Sequence, residues 1–366
     1  VKYLLAFFVL LISLQSFSTY KFILPVAIVI FMLSCKRKIK TILLSLTFLI
    51  FIIYYTLPGV VLYSFDFDMA YFRSTLVGIM AVGLFWSSYN YKNKEIFSQA
   101  INFALFVNVS FLFLQGFLLY GSGYHLDFTG LLTGHESRVI GPPLFSFRLW
   151  RPSGLTFEPG TYATYITPLL FLSYKLSDFK VNKLHLITVI SLLFTLSVFA
   201  IIFAFSFIII AYWQVLKNSK IIKFITVPIL MAIVYIVYQY ISWRFFSGRQ
   251  DISLGVKLYA FNFLLEQDII RVLTGSFYSF NDCQCLVRDT SLLFNFFFTF
   301  GILGIVLFVI LIFSVKGFKT KIMLFVMFLS KMPLFAPILW FFLIGMMVRD
   351  DENYICNSGK SKSTRN

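Results

Sequence analysis

The residues best equipped for chemistry fall in one short stretch, Arg148-Leu-Trp-Arg-Pro-Ser-Gly-Leu-Thr-Phe-Glu-Pro-Gly160, which sits between long apolar runs. A guanidinium offers a planar fork that grips phosphate or carboxylate oxygens and stays charged at any working pH. A carboxylate can take the proton of an attacking hydroxyl. Arg148, Arg151 and Glu158 therefore supply the parts for displacing an anionic leaving group. Pro152 and Pro159 fix φ and remove donors, and Gly154 and Gly160 permit turns that other residues resist. Charges near the depth of a bilayer cost a few kcal/mol each unless they line a wet cavity or find partners. Two readings follow: arginines snorkelling from a helix end, or a site for an anionic, lipid-linked ligand.

The elements that must position this stretch are membrane helices. The chain has 366 residues, 59% hydrophobic and only 13% charged, with mean hydropathy +0.87. That balance excludes a soluble domain and points to an all-α polytopic integral membrane protein. The apolar runs read as about twelve spans, within a range of about 10 to 13. They form a single multi-pass membrane domain over residues 1–348, with no room for a second globular unit. The first run reads as a span rather than a cleaved signal peptide, because no small-residue cleavage site follows it. Residues 184–216 are too long for one helix across roughly 30 Å of hydrocarbon and read as two spans joined by a tight outer turn near Ser197. Residues 291–315 read as one span, with Gly301 and Gly304 allowing close helix approach. The last apolar region, 322–348, is broken at Lys331-Met-Pro333 and reads as a helical pair. Two long loops, 121–158 and 242–290, lie outside, and the polar tail 349–366 lies in the cytoplasm.

The net charge of +16 does not call for nucleic acid, because lysines in cytoplasmic turns orient a membrane protein. Every lysine-rich turn falls on one side of this topology, which places both ends of the chain in the cytoplasm. The two outer loops use arginine instead: Arg138, Arg148, Arg151, Arg244, Arg249, Arg271 and Arg288, against Lys257. Either residue serves orientation or contact with anionic headgroups. Bidentate recognition of phosphate oxygens selects arginine. Residues 254–265 carry Leu258, Phe261 and Leu265 at helical spacing, as a helix lying on the outer surface does. The Cys283-Gln-Cys285 pair has no further ligand nearby to complete a zinc site. His125 and His135 share the first loop with Asp127 and Glu136 without metal-ligand spacing; His185 lies at an inner helix end, facing the helix dipole or headgroups. Asn102, Asn108 and Gln115, in the fifth span, are suited to bonding other helices.

Arg151-Pro-Ser-Gly-Leu-Thr-Phe-Glu-Pro159 resembles the Arg-x-x-Gly-x-x-x-Glu-Pro element of Wzy-type O-antigen and capsular polysaccharide polymerases. Ser247-Gly-Arg249, Gly275, and Asp289 followed by Gly301-Ile-Leu-Gly304 are similar to the second-loop signature of that group. The resemblance covers roughly residues 120–315. It implies an all-helical, GT-C-like glycosyltransferase at the outer face of the bacterial inner membrane. Such an enzyme transfers a growing glycan from undecaprenyl pyrophosphate to a lipid-linked repeat unit, and needs neither metal nor nucleotide cofactor. The partners implied are the undecaprenyl-pyrophosphate-linked oligosaccharide, membrane lipids and a chain-length regulator protein. On this resemblance Arg151 and Arg249 meet the charge that develops on the leaving pyrophosphate. Glu158 and Asp289 are the candidate bases, Glu158 being equally suited to orienting the Arg151 fork. Arg138, Arg148, Gly154, Arg244, Arg271 and Arg288 form the substrate-binding set. Related O-antigen ligases carry a His where this chain has Thr290, which disfavours a ligase. A flippase of lipid-linked sugars places polar groups at the midplane, whereas charge here collects in the outer loops.

Overall fold

The computed structural model describes residues 1–14, 20–34, 69–89, 93–144, 147–218, 235, 259, 262–263, 266, 269–275 and 290–348. Its elements, in order, are α1 (Lys2–Ser13), α2 (Tyr20–Ser34), α3 (Met69–Ser87), α4 (Lys94–Ser122), α5 (Phe128–Thr133), β1 (Ile140–Leu144), β2 (Phe147–Trp150), α6 (Pro159–Leu176), α7 (Lys183–Phe194), α8 (Val198–Asn218), α9 (Ile269–Thr274), α10 (Leu292–Ser314), α11 (Phe318–Phe328) and α12 (Pro337–Met347). Among the described residues the chain is helical, with one exception. β1 and β2 pair antiparallel in the first long loop, matching Ile140 with Trp150 and Leu144 with Phe147. The register slips between Ile140 and Pro143, where Pro142 and Pro143 have no N–H to give the ladder.

α6 is the hub. It starts on Pro159, whose missing N–H costs nothing in a first turn, and an unbroken run from Tyr162 to Tyr174 is buried. Against it pack α4, α7, α8, α11 and α12. α1 lies on α4 and α2, and α3 joins α2 to α12. Among the described residues two helices, α4 and α10, reach by length and composition what a membrane span needs, although α10 folds back on itself at Gly301. α4 has 29 residues, about 44 Å of helix. Its outward face is as apolar as its inward one: Phe106 is 60% and Phe117 76% exposed. Water does not favour such a face, whereas lipid does.

α10 is not one straight rod. Gly301 leaves the helical region at φ 61°, ψ −147°. A Cβ on Gly304 would lie 2.3 Å from Phe296 O, although eight residues of unbroken helix would separate them by about 12 Å. Phe296 and Phe308 both meet the ring of Phe328, at 5.3 and 4.1 Å. The element is therefore two arms folded against each other. The close approach that glycine permits occurs inside it at Gly304, and at Gly301 against the backbone of Leu273 and Gly275 at the end of α9.

The bundle has two chemically distinct ends. At one, Lys175 Nζ donates to Gly345 O, Met346 O and Val348 O at 2.9, 3.0 and 2.7 Å, satisfying the orphan carbonyls at the end of α12. Lys94 pairs with Asp178, and Lys319 Nζ donates to the Tyr174 hydroxyl at 3.1 Å. His185 is buried at this end rather than facing headgroups. Its Nδ1 accepts from Asn182 N–H at 3.2 Å, so Nε2 carries the proton and donates to Ser173 Oγ at 2.7 Å. Ser173 in turn donates to Asn102 Oδ1 at 2.5 Å. Asn108 bonds Ser13 Oγ of α1 at 2.9 Å. Asn102 and Asn108 thus tie helices together, as the sequence suggests.

Candidate functional site

The opposite end holds the stretch from Arg148 to Gly160. It crosses from β2 to α6 over the last turns of α4. The clamp is Gln115, fully buried in α4. Its Oε1 accepts from Ser153 N and Gly154 N at 2.8 and 2.9 Å, while its Nε2 donates to Leu126 O at 3.1 Å. Gly154 takes φ +61°, and a Cβ there would sit 3.3 Å from Leu112 N. Both the left-handed conformation and the approach to α4 require glycine. Thr156 then closes the turn, donating from Oγ1 to Ser153 O at 2.8 Å and Glu158 O at 3.1 Å.

A second strand of chain braces the first. Arg151 N–H donates to Val139 O and Arg138 N–H donates to Phe157 O, each at 2.7 Å. Thr129 Oγ1 donates to Thr156 O at 2.9 Å, and the Tyr120 hydroxyl donates to Trp150 O at 2.5 Å. Asp127 anchors this brace. It caps α5 by accepting from Gly130 N at 2.9 Å and also accepts from Ser137 N at 2.8 Å. Partial burial pushes the Asp127 carboxyl up, but the Gly130 and Ser137 hydrogen bonds and the nearby His125 outweigh it and hold it below its ordinary value. His125 Nε2 lies 3.2 Å from Ser137 Oγ, and His135 packs edge-on to Phe157. Among the described residues no cluster of ligands could hold a metal ion.

Arg151 is half-buried, with its Nε shut off from solvent. Arg138 is exposed. Arg148 stands in β2 opposite Pro143. Glu158 is the N-cap of α6, and its Oε1 accepts a long 3.5 Å bond from Thr161 Oγ1. Among the described residues the one ion pair is Lys94–Asp178, so Glu158 is not salt-bridged to Arg151. Arg271 is carried by α9, which is tied to α10 through Leu273 and Gly275. Arg244, Arg249, Arg288 and Asp289 lie outside the described residues, as does most of the stretch 254–265.

No family model, curated protein or solved structure matches the chain.

Further residues stand at this end beside the Arg148–Gly160 stretch. The turn expected near Ser197 is present: Leu196 takes φ 52°, rare for a branched side chain, and leads Ser197 into α8. A Cβ on Gly160 would lie 3.6 Å from Ser197 Oγ, so the starts of α6 and α8 adjoin. Lys331 Nζ stands 5.5 Å from the centroid of the Phe199 ring, near the start of α8. Leu292 N–H, opening α10, donates to Ser330 O at 2.6 Å. The positive dipole ends of α6, α8 and α10 therefore share the end that carries Arg138, Arg151 and Lys331. Such an end attracts anions and can hold negative charge as it develops. Lys331 adds a lysine to the arginine-rich pattern read from the outer loops, where Lys257 was the one lysine. Its signal was its place in the break before Pro333.

Proposed function

We propose that this chain is a polysaccharide polymerase of the Wzy type, working at the outer face of the bacterial inner membrane. In this reading it is a multi-pass protein of GT-C-like architecture with about twelve spans and both termini in the cytoplasm. It transfers a growing glycan from undecaprenyl pyrophosphate to a lipid-linked repeat unit, making O-antigen or capsule. The observation that carries the proposal is the placement of Arg151 and Glu158 on one backbone-clamped turn, at the bundle end opposite the partnered lysines Lys94, Lys175 and Lys319. A rigid guanidinium lowers a barrier only if it need not reorganise when the pyrophosphate departs. A clamp on Ser153, Gly154 and the Arg151 N–H provides that rigidity.

Arg151, with Arg249 and Arg148, meets the leaving diphosphate, and Glu158 or Asp289 receives the acceptor's proton. The reaction draws on no metal or nucleotide. Deleting the gene and running the surface polysaccharide on a gel tests the reading. Single repeat units in place of a ladder are expected. Intact polymer left on the lipid carrier would make the protein a ligase, and absence of any repeat unit outside would make it a flippase.

A further inference from the structure

Most glycines in this fold have a visible reason to be glycine. Gly116, Gly275, Gly301, Gly304 and Gly345 would each drive a Cβ to 2.5 Å or less from a neighbouring atom. Gly123, Gly134, Gly154 and Gly317 take positive φ. Gly160 has neither reason. It lies in the first turn of α6, outside the left-handed region, and its nearest neighbours stand at ordinary contact distance. Alanine is the better helix former at such a position. The expectation that Gly160 serves a turn is therefore not met. Gly83 and Gly121 share this freedom with nothing within 4 Å of where their Cβ would be, and Gly78 shares it against the apolar atoms of Pro337.

Gly160 is different because of what flanks it. The place a Cβ would take is 3.6 Å from Glu158 Oε1 and 3.6 Å from Ser197 Oγ. A carboxylate oxygen and a serine hydroxyl thus face each other across a bare α-carbon, separated by twice that distance at most. Ser197 is only 4% exposed, and its Oγ makes no hydrogen bond to any described residue. The hydroxyl is not among the side-chain atoms sealed from solvent without a partner, so it opens onto this space and can bond what enters it. Among the described residues the Glu158 carboxylate accepts only the long bond from Thr161. Leu196, at φ 52°, turns the chain so that Ser197 enters α8.

We infer that the space over Gly160, between Glu158 and Ser197, receives the attacking hydroxyl of the acceptor sugar. This rests on the polymerase reading. Ser197 Oγ donates to the acceptor oxygen and aligns it, and Glu158 accepts its proton. The acceptor oxygen forms the new bond to the anomeric carbon. The bond from that carbon to the pyrophosphate oxygen breaks, and the diphosphate keeps the electron pair. The missing side chain at residue 160 is what lets a pyranose come this close to the start of α6.

The test uses the full-length chain returned to a deletion strain, with repeat-unit lipid extracted from that strain as substrate for purified protein. Gly160→Ala fits the fold and should melt at or above the wild-type temperature. With a methyl group in the acceptor's place, its polymer output per folded molecule should fall on the order of 100-fold, as misplacement by about 1 Å does. Ser197→Ala should raise KM for repeat-unit lipid more than it lowers kcat, and Ser197→Thr should recover part of the loss. Wild-type chain lengths from Gly160→Ala, or an unchanged KM in Ser197→Ala, overturn the inference. If Arg151→Lys still ends polymerisation in that case, the polymerase reading stands and only the acceptor subsite falls. If Arg151→Lys also leaves a normal ladder, both fall together.

Discussion

The two ends of the bundle use positive charge in opposite ways. At the lysine end the cations are consumed by the fold: Lys175 closes three carbonyls at the end of α12, Lys319 meets Tyr174 and Lys94 meets Asp178. At the other end the backbone does the holding. Gln115, Thr129 and Thr156 bond main-chain groups, and the charged side chains Arg138, Glu158 and Lys331 form no ion pair among the described residues. A lysine can end a helix because its ammonium offers three flexible donors. A fork that must meet a diphosphate needs its backbone fixed beforehand. The comparison teaches that charge sign alone does not say what a cation is for. At one end lysine side chains close main-chain groups, and at the other the main chain beneath Arg138 and Arg151 is itself bonded.

The largest expected break is at Arg151. Arg151→Lys keeps the charge and loses the fork, so the polysaccharide ladder should drop on the order of 100-fold or more while protein level in the membrane holds. A normal ladder would place Arg151 among the holders. Gln115→Leu comes next. It leaves the buried Ser153 and Gly154 N–H groups without their acceptor, at about 1–3 kcal/mol each. Thermal stability and polymer should fall together, and polymer should stay low in the folded protein recovered at reduced temperature. Lys175→Met sharpens the contrast from the other side. Losing charge-assisted bonds to three carbonyls should cost about 1.5–3 kcal/mol in a melting experiment, with polymer per folded molecule unchanged. A loss of turnover larger than the loss of folded protein would show that the lysine end also serves the reaction.

Much of this was legible in the chain. The turn at Ser197 and the need for glycine at 154 both follow from residue type and position. Gln115 was assigned to helix–helix bonding, as Asn108 was, because a polar side chain in an apolar run looks the same in either role. Its spacing held the missing signal. Ala104, Asn108, Leu112 and Gln115 recur at helical intervals and are all buried, so Gln115 is the polar residue on the inward face nearest the outer loop. The fold-back of α10 was not legible. Its run from Leu292 to Ser314 is uniformly apolar, and only the φ of Gly301 separates two arms from one span. Lys331 could be placed in the break before Pro333, but its proximity to Phe199 is a tertiary fact that no spacing shows.

The smallest effect belongs to Asp127, and it tests whether the brace and the site are one unit. The Asp127 carboxyl is held below its ordinary value by the Gly130 and Ser137 bonds against the pull of burial. Its contribution to stability is therefore complete above the unfolded value of about 3.9 and is lost as pH falls through the lower folded value. Between pH 5 and 8 this group changes nothing. Amide exchange at Gly130 and Ser137, compared with Asp127→Asn at each pH, should show protection that fades only on the acid side in the native chain. The Asn variant keeps one acceptor for the α5 cap and should lose about 1 kcal/mol or less at neutral pH. It should lack the acid-side loss, and an identical profile in both proteins would sink the assignment. Because the braced chain carries the Val139 and Phe157 carbonyl contacts that hold Arg138 and Arg151, polymer yield should track this protection. A yield indifferent to it would mean that the Gln115 clamp alone fixes the arginine end.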